Sequence, residues 1–172
     1  MSERTDRGYG RPMATAFEGL MATLDYPMFV VTAAAGGERD GCLVGFATQA
    51  SIHPPRFLVG LSEKNRTYRI ALEADHLGVH FVAADQEELA ELFGGETGDE
   101  VDKLARVAWH AGPGGAPMLD ACENRFAGRV LERIVLGDHT GFLLEPVAAE
   151  HGAKDRQFTF HRARRIDPGH AP

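Results

Sequence analysis

Two groups of hydrogen-bonding side chains flank the prolines Pro54 and Pro55: Thr48, Gln49 and Ser51 before them, and Ser62, Lys64, Asn65, Arg66 and Thr67 after them. In a strand, alternate side chains share a face. Over residues 42–52 that rule places Cys42, Val44, Phe46, Thr48, Ala50 and Ile52 on one face, suited to a core. Leu43, Gly45, Ala47, Gln49 and Ser51 fall on the other, which beyond Leu43 is small and polar-tipped. A planar ligand can approach such a face closely, and so can a packed helix; alternation alone leaves both open. The second group stands where a helix is predicted to begin, and unpaired backbone N–H groups at a helix start suit a phosphate. Hydroxyl and amide donors, with Lys64 or Arg66 for charge, would strengthen that binding. The commoner occurrence of such a turn is a plain solvated cap.

The elements that must position these residues follow from local pattern. Residues 13–24 have helix-forming composition, residues 27–34 read as a strand, 36–41 as a hairpin loop and 42–52 as the return strand. Prolines cannot donate ladder hydrogen bonds, so that strand ends at Pro54, and the apolar run 57–62 follows as a central strand. Asn65 is placed to cap a helix over 66–74, because its side chain accepts an orphan N–H. A strand over 76–83 and a helix over 86–95 come next, the latter acidic early and closed by glycine. Residues 94–118, rich in Gly and Pro, are the least regular and read as a connection or a lid. Three further strands are expected over 126–136, 139–149 and 156–163. Many strands, short connections and few helices, without alternating βαβ units, predict a mainly β fold: a closed or partly closed β-barrel. Residues 13–169 are expected to form one domain, with a flexible arm over 1–12 and a tail over 170–172.

Composition narrows the function. A formal charge of −7 in 172 residues, with pI near 5.6, disfavours nucleic acid or an anionic membrane as the main partner. Neither a membrane-length apolar run nor a signal-peptide core is present, which predicts a cytoplasmic protein. Cys42 and Cys122 lack CxxC spacing and read as reduced, buried thiols. His76 and His80 lie four apart, but on a strand that spans roughly 13 Å, too far for one metal ion. The GPGG run at 112–115 is a turn without the Lys-Ser or Lys-Thr of a nucleoside-triphosphate loop, and no G-x-S-x-G elbow occurs. Trp109 fits a core or a subunit interface.

Several motifs recur in the order of a known family. Gly41, Thr48, Ser51, Pro54 and Pro55 form G-x-x-x-x-x-x-T-x-x-S-x-x-P-P; SEKNRT (62–67), GGAPML (114–119), GDHTGFLLE (137–145) and the closing QFTFHRARRIDPG follow. In these the chain resembles the flavin reductase family, whose fold is the FMN-binding split barrel, a Greek-key-type β-barrel. The resemblance implies a flavin, FMN or FAD, bound near a homodimer interface, with NADH or NADPH as hydride donor and a monooxygenase as possible recipient of reduced flavin. It implies that Thr48, Gln49, Ala50 and Ser51 contact the isoalloxazine and ribityl chain, and that Ser62, Lys64, Asn65 and Thr67 hold the phosphate. His139 would be the catalytic residue at the open face of the ring, orienting the nicotinamide or helping to protonate reduced flavin. Asp138 would shape the turn. Gly45 and Phe46 stand where many members carry Asn and Ser, Gln49 where Ser is frequent, His80 where Asn is common, and Leu144 where Gly is frequent. The expected function is an NAD(P)H-dependent flavin reductase. The alternatives are a non-enzymatic FMN-binding or electron-carrier protein on the same fold and, more remotely, an oxidoreductase using a deazaflavin or haem.

Overall fold

The computed structural model describes residues 11–169; the outer part of the expected arm (1–10) and the tail (170–172) lie outside the described residues. Helix α1 (Arg11–Met21) leads into a hairpin of β1 (Phe29–Ala35) and β2 (Glu38–Val44). Gly36 and Gly37 alone close the hairpin, with φ of 59° and 80°. A two-residue turn with left-handed dihedrals matches the twist of the strands it joins, and glycine adopts it without steric cost. Most of the loop expected over 36–41 is therefore strand.

The chain continues through β3 (Ala47–Ser51), β4 (Arg56–Ser62), α2 (Arg66–Ala71), β5 (His76–Phe81) and α3 (Glu87–Gly95). A short hairpin of β6 (Trp109–Ala111) and β7 (Pro117–Leu119) organises the Gly/Pro-rich stretch, and β8 (Arg125–Val135), β9 (His139–Glu150) and α4 (Phe160–Ala163) complete the described chain. Among the described residues one seven-stranded sheet runs β2-β1-β5-β8-β9-β4-β3, antiparallel at every pairing. β2 and β3 are its opposite edges, yet only Gly45 and Phe46 separate them in the chain. The sheet must therefore curl until its edges meet. In the connection the Gly60 N–H donates to the Phe46 carbonyl at 2.7 Å, extending the β3–β4 pairing by one residue toward β2. The result is the mainly β, split-barrel class read from the sequence, with edges that approach without pairing into a closed cylinder.

Two of the expected strands are not continuous. The single strand over 42–52 is two strands on opposite edges, because the chain turns sharply after Val44: the Ala47 N–H bonds back to the Gly45 carbonyl at 3.0 Å. This resets the alternation. Ala47 packs against the interior, while Phe46 and Ile52, placed in the core by simple alternation, are 60% and 67% exposed. The strand expected over 156–163 is instead two isolated bridges, Ala83–Gln157 and Pro27–Thr159, running into α4. Asp25 explains the change, for its carboxylate accepts the Thr159 hydroxyl (3.1 Å) and the His161 N–H (2.9 Å) and so supports the turn into helix.

β1 serves two cores, which is why it reads as a continuous apolar run. Phe29 and Val31 face the inside of the curl with Val44, Leu61, Val79 and Phe142. Met28 and Val30 face outward beneath α3, with Val82, Phe93, Leu104 and Phe158. Each such side chain contributes roughly 1.5–3 kcal/mol of burial. His80, fully buried on β5, bridges elements: Nδ1 donates to the Val30 carbonyl and Nε2 accepts the Leu119 N–H, both at 2.9 Å. Cys42 and Cys122 are free and buried, and burial pushes both thiols up to about 11.

Candidate functional site

The seam of the sheet opens into a cleft, and the register of β4 and β9 decides what lines it. Ser62 at the end of β4 pairs with His139 at the start of β9. The Glu63 N–H donates to the Asp138 carbonyl (3.1 Å), holding the two chain ends side by side. The turn after Ser62 folds on itself: the Asn65 N–H reaches the Ser62 carbonyl (3.0 Å) and the Lys64 N–H reaches the Ser62 hydroxyl oxygen (3.4 Å). Asn65 then caps α2, its Oδ1 accepting the Thr67 N–H at 3.3 Å. Ser62, Asn65 and His139 thereby converge on a cleft of about 200 Å³, floored by Cys42, Val44 and Leu61 and walled by Tyr26, Phe46 and Phe160.

His139 Nδ1 lies 2.7 Å from Asp138 Oδ1, a carboxylate that can only accept, so Nδ1 carries the hydrogen. That bond and the imidazole charge hold the Asp138 carboxyl below its ordinary value. On its other side His139 meets the Phe46 ring at 4.9 Å, tilted by 49°. Beyond Phe46 lies a second, mostly apolar groove of about 840 Å³, lined by Phe17, Met21 and Leu24 from the α1 region, by Leu58 and Leu136, and by Thr48. Tyr26, Gly45, Phe46, Gly60 and Phe160 border both spaces. Tyr26 and Phe160 stack at 4.6 Å and 13° to form the shared wall. Gly45 is required beside them, since a Cβ there would stand 2.6 Å from the Tyr26 ring.

The structure thus brings Ser62, Asn65 and His139 together, with exposed Lys64 on the same turn and Thr48 in the adjoining groove. Gln49 and Ala50 stand exposed farther along β3, and Ser51 is half-buried; none of the three is among the residues lining the cleft. Thr67 is directed away from it: fully buried, it donates its hydroxyl to Asp40 Oδ2 at 3.0 Å. Tyr26 and Phe160 line both spaces and are not anticipated from the sequence, whereas Phe46 is marked there only as standing where many family members carry Ser. The single large apolar side chain in a run of small ones was the available signal for Phe46. Nothing local marks Phe160, which arrives from the far end of the chain.

A polar corner and a mostly apolar groove thus adjoin along the seam of a curled antiparallel sheet. Residues 21–168 match the model of the flavin reductase like domain, and the chain belongs to that family. It is similar to a protein of Ancylobacter novellus named FMN reductase (NADH) RutF, at 29% identity over 147 residues, covering 85% of this chain and 81% of the relative. Its counterpart of the same name in Pseudomonas syringae pv. syringae is 27% identical over 136 residues, covering 79% and 76%. Among solved structures, the NADH:FAD oxidoreductase SgcE6 of Streptomyces globisporus superposes with a TM-score of 0.79 at 23% identity, over 88% of this chain and 90% of that one.

Proposed function

We propose that this protein is an NAD(P)H-dependent flavin reductase, acting as one domain over residues 13–169. The observation that carries the reading is the junction at Phe46 and Gly60: a corner of polar side chains on one side, a groove sized for a small molecule on the other. That donor set and that apolar space suit FMN, or the FMN half of FAD. Ser62, Lys64 and Asn65 would hold the phosphate by side-chain hydrogen bonds and charge. The strand Thr48, Gln49, Ala50 and Ser51 would run along the ring and ribityl chain, with Thr48 nearest the groove. Thr67, its hydroxyl taken by Asp40, would support the corner from beneath.

A bound flavin would supply the acceptor for hydride from the nicotinamide; the chain supplies position and electrostatics. His139, with Nδ1–H fixed on Asp138, offers Nε2 to orient a nicotinamide or to exchange a proton at the cleft. We further propose a homodimer. Met13, Phe17, Leu20 and Leu24 are exposed in and just after α1, beside the apolar groove, and a second copy covering them would also shield a bound ring. A partner monooxygenase would take the reduced flavin. Two free buried thiols are in keeping with a cytoplasmic setting; no helix among the described residues is long and apolar enough to cross a membrane.

Steady-state oxidation of NADH and NADPH with FMN, FAD and riboflavin as acceptors tests this reading. Turnover with at least one pair is expected. Tight flavin binding with no nicotinamide oxidation would instead make the protein a flavin carrier.

A further inference from the structure

A carboxylate and an ammonium group lie wholly inside the protein, beneath the turn that carries Ser62 and Asn65. Asp40 on β2 is 2% exposed and Lys103 is 1% exposed, with Nζ 3.6 Å from Oδ1. The other carboxylate oxygen accepts the Thr67 hydroxyl, and Lys103 Nζ also donates to the Glu96 carbonyl at 3.3 Å. Gly98 lies directly on the carboxylate, where any Cβ would collide with it. Arg66 Nη1 donates to the Gly98 carbonyl at 3.3 Å, and Arg69 pairs with Asp99 at 2.5 Å. Segment 96–103 and β2 are thus both tied to the first turn of α2.

Stability alone does not account for this arrangement. Removing two ions from water costs several kcal/mol each, and only near-ideal geometry offsets it. The 3.6 Å separation is longer than that of a strong charge-assisted bond. Replacing a buried ion pair by apolar side chains of similar volume is often neutral or stabilising, so the pair by itself is weak evidence of a stabilising role. What the ions provide is a fixed acceptor for Thr67, the residue whose N–H holds the Asn65 side chain.

We infer that Asp40, neutralised by Lys103, is a positioning residue for the polar corner. Acting through Thr67, it fixes the Asn65 amide and the Ser62–Asn65 turn in the arrangement that receives the terminal phosphate of a flavin mononucleotide. The inference rests on the phosphate assignment made above and has its own readout, the ratio of FMN to riboflavin affinity, which a purely structural role would leave unchanged.

Titrating each flavin by fluorescence against the full-length protein tests it. Thr67→Val should weaken FMN by about tenfold and riboflavin by less than about twofold, the scale of one hydrogen bond to a charged group. Thr67→Ser, which keeps the hydroxyl, should restore FMN affinity. Asp40→Asn with Lys103→Met removes both charges but keeps an acceptor for Thr67, and should preserve the ratio. Asp40→Leu with Lys103→Met removes the acceptor as well and should lose it. A Thr67→Val protein that melts earlier yet keeps its FMN-to-riboflavin ratio would overturn the inference, as would equal ratios in the two double variants. A wild-type protein binding FMN and riboflavin equally well would instead refute the underlying phosphate assignment.

Discussion

Acidification should weaken the fold through His80, by an amount the structure sets. The imidazole is fully buried between β1 and β7, and loss of solvent pulls its pKa from 6.5 to about 4. The charges of Arg125 and His110 act in the same direction, while the bond to the Val30 carbonyl opposes them. The unfolded chain therefore takes up a proton near pH 6.5, and the folded chain refuses it until about pH 4. This contribution is fully present above pH 6.5, declines as pH falls through that window, and levels off below it. About 2.5 pH units at 1.36 kcal/mol each is about 3 kcal/mol. That is a large share of the roughly 5–15 kcal/mol that holds an ordinary domain together. Urea unfolding of wild type and His80→Gln at about pH 7.5, 5.5 and 4 isolates the effect, because the carboxylates contribute alike to both proteins. The wild-type advantage should shrink by about 3 kcal/mol over that range. Parallel pH profiles would show that burial does not hold His80 neutral.

Other perturbations address the site and the surface. Phe46→Ala should join cleft and groove into one space and speed FMN association in stopped-flow fluorescence, about fivefold if displacing the ring costs about 1 kcal/mol; an unchanged rate would show that Phe46 does not partition the site. His139→Ala should slow reduction by nicotinamide about tenfold or more while flavin affinity holds, as loss of a positioned acid-base group requires. Leu20→Asp, on the exposed face of α1, should shift the protein toward monomer in sedimentation velocity; a monomeric wild type would exclude the proposed dimer.

How much was legible in the sequence depended on whether the deciding interaction was local. The β1–β2 hairpin could be read because Gly36-Gly37 and the apolar run before it lie within the hairpin itself. The Asn65 cap was equally visible, being a side chain bonded two residues along. Alternation failed at Phe46 because it assumes an unbroken strand, and the break serves to carry the chain from one edge of the sheet to the other. Thr67 was expected at the phosphate, since nothing nearby announces that Asp40 and Lys103 would draw its hydroxyl inward. The turn at Thr159 depends on Asp25, at the opposite end of the described chain. His139 and Ser62 could be associated through the family's motif order, but their pairing is a property of the β4–β9 register.

The proposed activity requires that the seam cleft hold a flavin that accepts hydride from a nicotinamide nucleotide. Anaerobic mixing of the FMN-loaded protein with excess NADH, and separately with NADPH, tests this most directly. The visible absorbance of the bound flavin should bleach with at least one of the two nucleotides. Flavin that remains bound and oxidised in the presence of both would contradict the proposed activity.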